Sequence, residues 1–553
     1  MSHRHKNLIR LAFAASTFLL SLSSPSQSVQ TPPNVTEYGT ITPTFGAGHD
    51  YLGLVGETVD PATGNVSLRI GMPLPKDRGL SLNFGLHYDS ASVYQLTLNP
   101  QNPLNVVDDP VEFGKPSWNP TGVLFPLILG GWAEGYPLGT TSNNSYTDPT
   151  SGFSCMYSGN ASFTDVDGSS HWLGMTYTTD PGNGGVAYCQ QQSNAVLGVS
   201  ADQVAEAVFD PASLTVATLD GTVYQFPATA PNLTESWTMG TFGFLPQTVE
   251  DRNGNILTFT PQGSNGLQVT DTVGRPVLTE TLNIQNSGQQ LTTNYAVEGT
   301  PQPYVATWTG IGGNLFTVPF TVVQSTALQG YCAYQGPSGG GGYNITSLAL
   351  PDGTSYQFSY DPSFGLLNQI TYPNGAWVKY TWSIPGQNDD ASYSWINLSY
   401  DPTGTIGSYT VNTCGVTYGR PAIQTRTVSF DGQNVALKET YSYSTNFVAA
   451  SSWNFNGGNY STKTTNVVTQ DILRNTSYST TYTYVPNSIG YITQPAPLSN
   501  YGVPVYANMS DWPAVEKSVQ TQDISGNVLL TENKTWQDPA HILTDQRVLP
   551  SGS

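Results

Sequence analysis

The chain has 553 residues, enough for several domains or one long repeat array, and a formal net charge of −20 from 18 basic and 38 acidic side chains. So acidic a surface repels nucleic-acid phosphate and anionic lipid, which excludes the common nucleic-acid and membrane-surface binders. Charged residues make up only 10% and aromatics 11%, with Tyr dominant and Gly, Ser, Thr and Asn abundant. That composition suits many strands joined by many turns rather than helices, and its aromatic surface is ample to bury, which argues against disorder.

Residues 1–28 read as a secretory signal peptide. Arg4, Lys6 and Arg10 supply the basic start, Leu11 to Leu22 the short apolar run, and Ser24, Ser26 and Ser28 the small cleavage residues. The run is too short for a comfortable membrane span of about 20 residues. Removal of the leader, expected between Ser24 and Gln30, leaves 15 basic and 38 acidic groups, a net −23. The expected location is therefore secreted or cell-surface.

Residues 29–132 read as a non-repeat β segment. Asn65 to Ile70 and Leu80 to Tyr88 alternate as strands do, Asn99 to Pro120 is Pro-rich loop, and Val123 to Leu129 is a short apolar run ended by Gly130-Gly131-Trp132. Residues 133–335 hold the first hairpins. Leu214 to Phe226 turns at Asp220-Gly221, and Ser200 to Phe209 reads as a short helix with Asp202 as its N-cap. Cys155, Cys189, Cys332 and Cys414 allow three pairings in an exported chain, of which the shortest closure, Cys155 with Cys189, is favoured, leaving Cys332 with Cys414. Residues 336–342 are Gly-rich and read as a flexible loop and a candidate boundary.

Residues 343–382 carry the clearest repeat. Shifted by 22 residues the segment meets itself: Leu348 falls on Ile370, Pro351 on Pro373, Gly353 on Gly375, Tyr356 on Val378, Phe358 on Tyr380 and Tyr360 on Trp382. Each copy is an alternating run, a Pro-Asp-Gly or Pro-Asn-Gly turn and a second alternating run, which is a repeated β-hairpin. Residues 383–553 are looser. Hairpins are expected around Asp431-Gly432 and across Asp523 to Trp536, with a Tyr/Thr strand at Ser477 to Val485 and Pro-rich loop from Gln494 to Pro513. Gly221, Gly254, Gly353, Gly375, Gly432 and Gly526 are the expected structural turn glycines, each supplying a positive φ.

These repeats resemble the YD-repeat (Rhs) family of large secreted or surface proteins. Tyr360-Asp361 matches the dipeptide that names the family. Asp251-Arg252-Asn253-Gly254-Asn255, Asp271-Thr272-Val273-Gly274-Arg275 and Asp523-Ile524-Ser525-Gly526-Asn527 match its turns. Thr63-Gly64-Asn65, Arg78-Gly79-Leu80 and Tyr88-Asp89-Ser90 are similar to its leading non-repeat segment. The resemblance implies an all-β fold of repeated antiparallel hairpins forming an extended or partly closed β-shell. It also implies a non-enzymatic structural role in an encapsulating or intercellular-interaction system. The repeats are few, and Asp401-Pro402-Thr403-Gly404 matches the family's core element once without a second copy. The expectation is therefore a short member or N-terminal fragment without the paired core motif or a C-terminal effector. The remainder of a split shell is its expected partner.

Catalytic motifs are absent: there is no G-x-S-x-G, H-E-x-x-H, P-loop or dinucleotide fingerprint, and no cofactor is implied. The lack of C-x-x-C and the scarcity of His argue against zinc. Asp165-Val166-Asp167-Gly168 begins like a calcium loop but fails at Ser170 and Thr176, and His171 reads as a packed strand histidine. Two alternatives to the scaffold stay open. Tyr356, Tyr360, Trp377, Tyr380 and Trp382, with Phe358, could stack on sugar rings of surface glycans, making this a carbohydrate-binding or adhesion module, although in-phase aromatics also pack sheets. Carboxylates from distant segments could also form a glycan-active pair.

Overall fold

The computed structural model describes residues 57–75, 80, 82–98, 105–110, 128–129, 131–147, 154–166, 170–173, 176–179, 196–199, 205–210, 213–226, 240–263, 265–285, 290–311, 320–323, 333–334, 342–386, 389–400, 406–447, 460–486, 514–538 and 541–550. By contact the chain parts into Met1–Asn34 and Val35–Ser553, and every described residue belongs to the second unit. The leader, Cys189, Cys332, Asp401 to Gly404 and residues 336–341 lie outside the described residues, so the disulfide pairing and the core-element match do too.

The fold is all-β and, among the described residues, antiparallel except for one short parallel pair, Ala333–Tyr334 with Asn105 and Val106. Among the described residues the only helical element is a single 3₁₀ turn, Ser90–Val93, and none is a helix long and apolar enough to cross a membrane. One sheet dominates. Among the described residues it holds 21 strands, from Val196–Val199 to His541–Val548, each pairing antiparallel with the next along the path, and its first and last strands do not pair with each other. The sheet runs straight across 336–342: Tyr304–Ile311 pairs with Gly342–Ala349. It also crosses 383, since Trp377–Ser383 pairs with Ala422–Ser429. Two places differ from the sequence reading. Ser200 to Phe209 contains no helix where it is described; Ala205–Asp210 is a strand, with Phe209 opposite Leu214, because tertiary pairing outweighs the local preference of Ala and Glu. Asn105–Pro110, expected as loop, pairs with Tyr94–Leu98, since Val106 and Val107 favour a strand despite the flanking prolines.

The 22-residue repeat recurs in the register. Leu348 pairs with Tyr356, and one repeat later Ile370 pairs with Val378. Leu348 and Ile370 are fully buried, and Val378, Phe358 and Tyr380 are buried beside them. The turns between them are alike: Gly353 and Gly375 have φ of 86° and 87°, and the side-chain oxygens of Asp352 and Asn374 accept the backbone N–H two residues on, at 2.9 and 3.0 Å. Gly221, Gly254, Gly432 and Gly526 also have positive φ, between 77° and 85°.

Strict antiparallel succession sorts the connections onto two rims. One rim carries the short turns at Asp220, Asp251, Asp271, Asp352, Asn374, Asp431, Asp471 and Asp523. At the other rim lie the strand ends that flank the longest intervals between successive strands of this sheet: Phe226 and Thr248, Ile311 and Gly342, Ser383 and Ala422, Phe447 and Tyr460, Pro486 and Ala514. The Tyr360-Asp361 turn lies on this second rim, closed by the Asp361 side chain accepting from the amides of Ser363 and Phe364.

A five-stranded inner sheet packs on the buried face of the long one. Its order is Glu57–Asp60, Asn65–Gly71, Gly85–Asp89, Trp132–Glu134, Ile128–Leu129. Alternation turns Val66, Leu68 and Ile70 inward, where they join one core with Leu278, Trp308, Ile370 and Tyr380. Ring contacts and hydrogen bonds link this small sheet to long-sheet strands from Phe259 to Thr465. At about 4.8 Å per strand those strands span roughly 50 Å, against about 20 Å for the inner sheet. The long sheet must therefore curve around the inner one.

Candidate functional site

The inner face of the long sheet is the candidate site, because it gathers the aromatics and the buried charges. The inner sheet meets it side chain by side chain. Trp132 is fully buried and donates its indole N–H to the Tyr360 hydroxyl at 2.8 Å, with its ring edge-on to Phe358 at 5.0 Å. Tyr360 passes the hydrogen bond on to the Ile345 carbonyl at 2.6 Å. The Tyr88 hydroxyl accepts the Leu367 amide at 2.9 Å. The Gly64 carbonyl accepts the Ile423 amide at 3.0 Å, and Thr465 donates its hydroxyl to the Pro61 carbonyl at 2.5 Å.

The residues read as possible sugar platforms fall on two faces. Tyr380 and Trp382 are buried against the inner sheet and offer no ring face to solvent: Tyr380 donates to the Glu57 carboxylate, and Trp382 donates its indole N–H to the Leu367 carbonyl. Tyr360 is half-buried, with its hydroxyl committed to Trp132 and Ile345. Tyr356, also half-buried, stacks on Phe358 and meets Tyr372 edge-on. Trp377 lies on the opposite face, half-exposed, with its N–H bonded to the Gly432 carbonyl and the Lys379 ammonium 4.3 Å over its ring. The five do not converge on one surface.

What sequence reasoning missed is a set of buried charges. Arg426 is 1% exposed and bridges two sheets. It donates to Glu57 of the inner sheet at 2.5 Å and to Glu439 of its own sheet at 3.3 Å. Tyr441 adds a 2.7 Å hydrogen bond to Glu439. A buried guanidinium between two carboxylates, each also served by a tyrosine hydroxyl, meets the condition under which ions tolerate burial. Nearer the start of the long sheet, Tyr136 donates to Glu280 at 2.6 Å and Tyr295 donates to Glu134 at 2.7 Å, all four side chains being buried. Burial pushes Glu280 well above the usual carboxylate range, and the adjacent Glu134 pushes it the same way. Burial also lifts Asp60 to about 6, against hydrogen bonds from Thr63 and Ala62 that favour its charged form. A signal existed in the sequence: Glu280 stands in phase with Leu278 and Leu282, Arg426 with Val428, and Glu439 with Leu437 and Tyr441. A charge in step with an apolar stripe marks a buried ion.

The chemistry on offer is limited. Among the described residues no three His, Cys, Asp or Glu side chains gather to hold a metal. A narrow cleft beside Glu439, Tyr441, Thr469, Thr480 and Val59 has room for about one water molecule. His171 stacks on Phe163 and sits 3.3 Å from Asp165, so the first Asp of the failed calcium loop faces a histidine.

No protein-family model matches the chain, and no curated protein matches it. Among solved structures it is similar to a porin-like protein from Bacteroides uniformis, at 11% identity and a TM-score of 0.19, over 51% of this chain and 95% of that one. It is also similar to TcdB2-TccC3-TEV, at 12% identity and a TM-score of 0.11, over 86% of this chain and 25% of that one. A third likeness is to a Photorhabdus luminescens Tc holotoxin pore, at 11% identity and a TM-score of 0.10, over 87% and 28%. None of these sets a family.

Proposed function

We propose that this is a secreted, non-enzymatic scaffold of the YD-repeat type, a curved β-wall that acts in an encapsulating or intercellular-interaction system together with further wall from a partner. One observation carries the reading: the aromatic inner face is filled by the chain's own inner sheet, the polar ends of Trp132, Tyr360 and Tyr380 are spent on that contact, and that of Trp382 is spent on the Leu367 carbonyl of its own sheet. Residues so engaged set a shape and do not wait for a ligand. The repeated register and the Tyr360-Asp361 turn support the family reading.

The rival reading is a glycan-binding module using the half-exposed Tyr356 and Trp377. A glycan array with the secreted chain separates the two, run beside Tyr356→Val and Phe358→Ala. The scaffold reading expects no specific glycan signal, a stable Tyr356→Val protein, and a loss of about 3–5 kcal/mol for Phe358→Ala, which empties a buried ring site. A specific glycan bound by the native chain and lost in a stable Tyr356→Val protein would overturn it.

A further inference from the structure

The last described strand of the long sheet, His541–Val548, pairs among the described residues only with Val528–Asp538. Its other edge therefore presents a row of backbone N–H and C=O groups, the template on which a further strand adds. Residues 543–550 are all exposed, so neither face of this strand is covered as the earlier strands are. Proteins blunt such edges with a proline, a bulge or an outward charge. Here the bulges fall at the start of the strand, opposite Thr535 and Trp536, and the run from Thr544 to Val548 keeps a regular register. Its two charges, Asp545 and Arg547, are of opposite sign and two residues apart, which puts them on one face. Arg547 donates its Nε–H to Glu532 at 2.8 Å, yet its side chain stays 60% exposed, and a guanidinium has N–H donors to spare for a second carboxylate.

We propose that this edge is a self-association site: the same strand of a second copy of the chain pairs with it, antiparallel, about a twofold axis at Gln546, so that two walls join into one sheet. A twofold contact is self-complementary, each residue meeting its mirror position about the axis. Centred on Gln546, Asp545 meets the other copy's Arg547 and Arg547 meets the other copy's Asp545, so two unlike pairs form at once. The same register sets Thr544 against Val548 and brings Leu543, at the bulge, opposite Leu549; these two leucines are 66% and 65% exposed. Moving the axis by one residue, to Asp545 or Arg547, sets like charges face to face. Moving it by two, to Thr544 or Val548, sets Asp545 against Leu543 or Arg547 against Leu549. The strand's own sequence thus selects one register. The inference rests on the scaffold reading for its purpose, since it names a second copy as the partner that supplies further wall.

The test is sedimentation of the full secreted chain at concentrations up to about 100 µM. It is run in about 0.15 M salt, which screens the net negative charge of each copy, for the native protein, Asp545→Arg and Arg547→Asp. The native chain should sediment as a dimer. Each variant sets like charges opposite each other and should be a monomer at a concentration where the native chain is dimeric. An equimolar mixture of the two variants should form a dimer again, because their strands then carry opposite charges. A native chain that stays monomeric would overturn the proposal. So would a dimer insensitive to both substitutions, a mixture that stays monomeric, or assemblies that grow beyond a dimer. If a variant fails to fold, hydrogen exchange of the native chain decides: every second amide of His541–Val548 should slow as concentration rises, and unchanged exchange would overturn the contact. The scaffold reading fails separately, on the glycan array. A dimer that binds a specific glycan would sink that reading alone, and a monomer without glycan signal would sink this contact alone.

Discussion

At the scale of single residues, the inner interface contains both satisfied and unsatisfied polar groups, and the two kinds predict opposite responses. The Tyr372 hydroxyl is buried with no hydrogen-bond partner among the described residues, and its repeat equivalent is Leu350, which has no hydroxyl to satisfy. Tyr372→Phe should therefore raise stability, by about 1 kcal/mol, as an unpaired buried group is removed. Arg426 is the opposite case. Arg426→Met would strand Glu57 and Glu439 without their cation and should cost roughly 3–5 kcal/mol. Denaturant titration reads both. A destabilised Tyr372→Phe, or an unaffected Arg426→Met, would contradict the partners described for these side chains.

Among the elements, the turns separate backbone strain from collision. A side chain at Gly353 would meet nothing within 4 Å, so Gly353→Val should cost only the strain of a positive φ, about 1–3 kcal/mol. Gly64 has the same kind of φ, 75°, but a β-carbon there would lie 2.6 Å from both Ala422 Cβ and the Tyr443 hydroxyl, on the long sheet. Gly64→Val should therefore exceed Gly353→Val in a side-by-side unfolding comparison, because it pushes the first inner hairpin off its seat. Equal losses would mean that this hairpin is not seated there. The elements also show what the sequence could and could not tell. The hairpins at Asp220-Gly221, Asp352-Gly353, Asn374-Gly375 and Asp431-Gly432 were legible, because alternation and turn chemistry are local and repeat. The strand Ala205–Asp210 was not, since its pairing to Leu214 and its neighbours outweighs a helical composition. The Glu57–Arg426 contact was beyond reach: its partners are 369 residues apart, and no local pattern encodes which buried acid meets which buried base. The aromatics were found but not their orientation; Tyr380 and Trp382 face inward only because another sheet arrives to cover them.

For the molecule as a whole, the short-turn rim sets the acid limit of stability. Hydrogen bonds hold the carboxylates below their ordinary range: Asn255 does so for Asp251, Thr354 for Asp352, Asn434 for Asp431 and Asn527 for Asp523. A carboxylate depressed on folding stabilises above its unfolded value and loses that contribution as pH falls through the folded one. The melting temperature should thus drop below about pH 4. Asp→Asn changes at these turns should blunt the drop, since Asn374 already makes the same turn hydrogen bond without a charge. Unchanged acid sensitivity in the combined variant would place it elsewhere. The central claim is that the chain's own inner sheet fills the aromatic face of the long sheet. Native-state hydrogen exchange tests it most directly. The amides of Asn65–Gly71 and Gly85–Asp89 should be protected as strongly as those of Trp377–Ser383, and Arg426→Met should weaken both sets together. Fast exchange across the inner strands while Trp377–Ser383 stays protected would contradict the claim, leaving the aromatic face open.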